Sequence, residues 1–70
     1  MDLIATERER VANVHRTASG YLTKAASHHL EAAKYHELGD HEKATECIIA
    51  ANAYESLATE SQREGPTILS

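Results

Sequence analysis

Val11, Val14, Ala18, Tyr21, Ala25, His28, Ala32 and Tyr35 recur at spacings of 3 and 4 with no break between them. Such a stripe lies on one face of an α-helix, whereas a half-buried strand needs a period of two. A second stripe runs through Ala44, Cys47, Ile48, Ala51, Tyr54, Ala58 and Ser61. Between the two stands Gly39-Asp40. Glycine at the residue after a helix end and Asp at the N-cap of the next helix make a tight helix-to-helix turn. No segment alternates with period two, and good helix formers fill the interior. The sequence therefore predicts an all-α chain: a helix over about residues 5–38, a turn at 39–40, a helix over about 41–63 that stops before Gly65-Pro66, and a frayed tail at 65–70.

Two points at the first helix stay open in the sequence. Thr6 with Glu9 three residues later matches a capping box, which places the start near residue 6, or slightly earlier if Asp2 is the cap. Gly20 is either a tolerated interior glycine, at a cost of about 1 kcal/mol, or a break at Ser19-Gly20 that gives a three-helix bundle. The uninterrupted stripe favours one long helix of roughly 50 Å against roughly 35 Å for the second, so the first overhangs.

A chain of 70 residues with three Tyr, no Phe and no Trp builds a thin core. Small domains of this size bury only about 60% of the surface their unfolded chains expose, and association often supplies the rest. Ile49, Ala50, Ala53 and Leu57 widen the second apolar face beyond the ~100° that a monomer's surface helix requires. Another copy of the chain is the economical partner. The expected architecture is an antiparallel two-helix hairpin that associates, as a homodimer or tetramer, into a four-helix bundle. In it Val11, Val14, Ala18, Tyr21, Ala25, Ala32 and Tyr35 face Ala44, Cys47, Ile48, Ala51, Tyr54, Leu57 and Ala58, and overhanging residues 5–16 pack on the partner or bind something else.

A formal net charge of −4 disfavours a nucleic-acid backbone as partner. In the run from Thr6 to Arg16, Glu7 and Glu9 offset the arginines. No apolar run approaches a membrane span, and the N-terminal residues lack the order of a signal peptide. The single cysteine, Cys47, lies among apolar neighbours and reads as a buried, reduced thiol in a cytoplasmic protein.

Residues 25–55 carry two resemblances. Ala32, Tyr35, Gly39-Asp40, Ala44 and Ala51 resemble one tetratricopeptide-type hairpin, which implies a peptide-binding repeat. His28 stands where that family has an aromatic and Ser56 where it commonly has proline, and no second repeat follows. The segment HHLEAAKYHELGDHEKA, residues 28–44, is similar to that of small uncharacterised bacterial proteins rich in His and Ala. That likeness implies a helical hairpin and no particular activity.

Histidines provide the one metal-binding alternative. His28 and Glu31 have the i, i+3 spacing of ligands on one helix face, and His36 or His41 could add to them across chains. His29 and His36 lie too far apart along the axis to share an ion. No Glu-x-x-His pair of the di-iron bundle type occurs. The ordinary readings are that His36 favours the negative end of its helix, His41 flanks the next helix, and His28 fixes register. No Gly-rich loop or nucleophile elbow supports catalysis. The sequence reading is a non-enzymatic, self-associating interaction or scaffold protein without cofactor, with a protein partner as a further option and a divalent-metal binder as the alternative.

Overall fold

The computed structural model describes the backbone of residues 3–64 and the side chains of residues 6–63. Two helices account for nearly all of it: α1, Leu3–Glu37, and α2, His41–Glu64. They pack on each other as a hairpin with extents of 57 × 15 × 11 Å. The radius of gyration is 16.5 Å, against about 11 Å for a compact domain of this length. The molecule is a rod.

The turn is built from two helix-capping devices back to back. Gly39 has φ 79°, the left-handed conformation that closes a helix at low cost only with glycine. Its N–H donates to the His36 carbonyl at 3.0 Å, and the Asp40 N–H donates to the Tyr35 carbonyl at 2.8 Å. These are the two bonds of a Schellman motif. Asp40 then opens α2: its Oδ1 accepts from the Lys43 N–H at 3.2 Å and its carbonyl accepts from the Ala44 N–H at 3.1 Å.

α1 is 35 residues long and passes through Gly20 without a break, so the three-helix alternative is not adopted. An added Cβ at Gly20 would meet nothing within 4 Å. The two glycines therefore predict opposite outcomes. Gly20→Ala should stabilise the hairpin by up to about 1 kcal/mol, because alanine restricts the unfolded chain without a clash. Gly39→Ala should destabilise it by about 1–2 kcal/mol, the cost of a left-handed L-residue. Thermal melts of the two variants check both signs.

The capping box at Thr6 does not form the start of α1. The helix begins at Leu3, which leaves Thr6 within it. Asp2, Gly65-Pro66 and the tail to Ser70 lie outside the described residues. At the other boundaries, Leu38 falls in the turn and α2 extends to Glu64.

Six alanines make the seam: Ala18, Ala25 and Ala32 on α1, and Ala44, Ala51 and Ala58 on α2. Each is no more than 4% exposed. Each set recurs every seven residues, nearly two helical turns, which keeps one methyl after another at the line of contact. Side chains this small let helix axes approach toward the low end of the usual ~8–10 Å. Among the described residues no side chain larger than alanine is buried. Tyr21, Tyr35, Ile48 and Tyr54 are half-buried beside the seam rather than in it, as are Val11 and Val14 toward the N-terminal end of α1. Leu57, expected in the seam, is 40% exposed, because the alanine line takes the contact and leaves its neighbour one position before Ala58 on the flank. α1 is eleven residues longer than α2, an overhang of roughly 16 Å.

Candidate functional site

The seam alanines fix where every other side chain falls. Each residue advances about 100° around a helix. Residues three after a seam alanine therefore fall to one edge of the hairpin, and residues four after it fall to the other. The first edge holds Tyr21, His28 and Tyr35 from α1 with Cys47, Tyr54 and Ser61 from α2. The second holds Leu22, His29 and His36 with Ile48, Glu55 and Gln62, and His15 and His41 continue it by the same seven-residue step.

On the first edge, Tyr54 is the hub. The Tyr21 ring stacks on it at 6.2 Å between centroids, and the His28 ring lies on it at 5.6 Å with only 7° between planes. Lys24 places its Nζ 5.5 Å from the Tyr54 centroid, and Lys43 stands 5.6 Å from that of Tyr35. His28 Nδ1 is 3.3 Å from Glu31 Oε1. Its ring thus lies between an aromatic face and a carboxylate on its own helix.

Cys47, expected to be buried, is half-buried on this edge, since alanine occupies the enclosed position three residues before it. Desolvation beside α1, and then the carboxylates of Glu31 and Glu46, push its thiol up from the ordinary cysteine range. A nucleophilic cysteine needs the reverse, a neighbouring positive charge that favours thiolate. Alkylation by iodoacetamide should accordingly be slower in the folded chain than in the urea-unfolded chain at pH 8, beyond the effect of access alone. The rate should also rise at a higher pH in the folded state. A pH–rate profile for the two states measures this directly.

The second edge carries four of the five histidines. His29 Nε2 lies 2.8 Å from Glu55 Oε1 across the helices. His36 and His41, on either side of the turn, bring their Nδ1 atoms to 2.8 Å with ring planes tilted by 43°. His15 and Leu22 border a shallow open groove with Ala18, Ser19, Ala26 and Gln62.

Compared with family models, curated proteins and solved structures, the chain matches none. Its site residues are therefore read from their geometry.

The sequence grouped His28, Glu31, His36 and His41 as metal candidates to be assembled across chains; within one chain they fall on two edges. His28 and Glu31 belong to the aromatic edge, and His36 and His41 to the opposite one. Among the described residues no three His, Cys, Asp or Glu side chains converge as a metal site. Sequence reasoning missed the pairing of His36 with His41. Its signal was a five-residue separation spanning Gly39-Asp40, a distance that chain reversal makes short. It also missed His29 with Glu55, whose signal is equal placement four residues after seam alanines on the two helices. No described helix is long and apolar enough to cross a membrane.

Proposed function

We propose that this chain is a self-associating helical adaptor whose two-helix unit is completed by a second copy, as a four-helix bundle, and which acts by binding rather than by catalysis. The observation that supports this reading is the mismatch between what the hairpin buries and what it leaves outside. Its seam encloses only alanines, while Leu22, Leu30, Leu38, Ile49 and Leu57 remain 46, 69, 78, 64 and 40% exposed. Two helices held by methyl groups form a marginal unit, and small scaffolds of this kind draw stability from association.

The side that carries the second histidine edge suits the second copy best. Leu22 and Ile48 fall four residues after seam alanines, and Leu30 and Ile49 fall five after. Ala26 and Ala33, each one after a seam alanine, lie between them on the same side of α1. In the antiparallel register set by the alanines, Leu30 and Ile49 lie within about one helical turn of each other along the rod. Large aliphatics thus alternate with small residues over one broad face, the pattern that interdigitates in helix–helix packing. Polar Thr45, Asn52 and His29 interrupt it and give the pairing a register.

Sedimentation equilibrium over a hundredfold concentration range tests the reading. A dimer is expected, with a melting temperature that rises with concentration as mass action requires. A monomer with a concentration-independent melt would remove it.

A further inference from the structure

We propose that His36 and His41 form a two-imidazole chelate for a late first-row divalent cation, with Cu²⁺ bound most tightly. Both ligands come from one chain and stand at the turn end of the edge toward which the proposed second copy packs, so metal binding is read apart from association by recording the mass of the species titrated.

The pair is set by the backbone rather than by chance approach of two long side chains. His36 is in the last turn of α1 and His41 is the first residue of α2. The four residues between them are locked by the Gly39 and Asp40 capping bonds described above. The two Cα positions are therefore fixed relative to each other, and each imidazole needs only its own side-chain torsions to turn. Both side chains are exposed, so a hydrated ion reaches them without opening the fold.

The Nδ1 atoms already stand 2.8 Å apart. At that separation one Nδ1 donates its proton to the lone pair of the other; when the donor ring carries its proton on Nε2 instead, both Nδ1 lone pairs are free for a metal ion and no proton has to be lost. A metal ion bound to both nitrogens lies off the line between them rather than in the proton's place, because its bonds are longer than half their separation. With metal–imidazole bonds of about 2.0 Å, two ligands in adjacent corners of a square plane are about 2.8 Å apart, whereas tetrahedral neighbours are about 3.3 Å apart. Two exposed rings that turn can reach either spacing, and the shared proton sets the one observed, so the preference for Cu²⁺ follows from the Irving–Williams order instead. Each ring must turn about its own side-chain torsions so that its lone pair leaves the partner nitrogen and faces the ion. Since no third His, Cys, Asp or Glu converges here among the described residues, water fills the remaining corners. This implies an exchangeable cation, and affinity in the order Cu²⁺ above Ni²⁺ and Zn²⁺.

Isothermal titration of the full chain with CuCl₂ at pH 7.5, together with electron paramagnetic resonance of the product, tests the site. Near one Cu²⁺ per chain is expected, with a type 2 spectrum showing nitrogen hyperfine structure. His36→Ala and His41→Ala should each weaken binding by more than the roughly tenfold lost when even an outer-shell partner is removed. The double variant should be little worse than either single. His15→Ala/His29→Ala, which removes the other two histidines of that edge, should leave the tight phase intact. Circular dichroism shows whether each variant keeps its helices; both positions are exposed, and His36→Gln and His41→Gln provide a second, polar pair of substitutions. Equal Cu²⁺ affinity in wild type and in the folded His36 and His41 variants would overturn the proposal. So would loss of the tight phase in the His15/His29 variant alone.

Discussion

Ala51→Glu is expected to unfold the hairpin. Ala51 is 0% exposed, and the seam has no space for an additional methylene and a carboxylate. Overpacking alone costs typically about 1–3 kcal/mol, and an unpaired charge held away from water adds a penalty of several kcal/mol unless the seam opens. Because methyl groups are all that the seam buries, nothing elsewhere in the described structure offsets such a loss. The expected result is a chain with little helix by circular dichroism at 25 °C. Ala51→Leu separates the two causes: it keeps the overpacking without the charge and should fall between Glu and wild type. A cooperative melt of Ala51→Glu within about 1 kcal/mol of wild type would mean that the seven-residue alanine line is not the contact. Ala25→Glu, at the corresponding position on α1, should behave alike.

Leu22→Asp/Ile49→Asp should instead leave a folded seam and abolish association. Both side chains are exposed in the single hairpin, so the substitutions remove nothing from its interior. In the proposed dimer each aliphatic is buried, which is worth about 1.5–3 kcal/mol per side chain. Losing two of them raises the dissociation constant by at least about a hundredfold. Sedimentation equilibrium should then report a monomer at concentrations where the wild type is dimeric, with a lower and concentration-independent melting temperature. A double variant that remains fully dimeric would place the second copy on another face, of which the one bearing Leu38 and Leu57 is the natural alternative.

Local chemistry made the turn legible before the structure. Gly39 and Asp40 are the residue types that a helix end and a helix start require, and they perform those roles through bonds to His36, Tyr35 and Lys43. The 3-and-4 stripe likewise implied that α1 runs through Gly20. The capping box at Thr6 was misleading because Thr and Glu are also tolerated inside helices, and α1 continues upstream of them. Thr23, Thr45 and Thr59 show how, each donating its hydroxyl to the carbonyl four residues before.

Partition within the stripe was harder to read. A 3-and-4 pattern marks a face but does not rank its members. Tyr21, Ala25 and His28 look equivalent in it, yet only Ala25 is buried, while the other two stack on Tyr54 at the edge. The ranking is carried by a coarser period, Ala18-Ala25-Ala32 against Ala44-Ala51-Ala58, which becomes decisive only when the two helices are set side by side. The site residues depend on it in turn. His36 and His41 meet because both lie at the same edge of that seam, and His28 is directed away from them because it lies one position earlier.

Self-association is the claim on which the functional account rests, and a direct mass in solution tests it best. Native mass spectrometry of the wild-type chain in the presence of a chelator should show an assembly of two 7.7 kDa chains with no metal. A 7.7 kDa species that persists up to the highest concentrations would contradict the account and leave the exposed aliphatic face to a different protein.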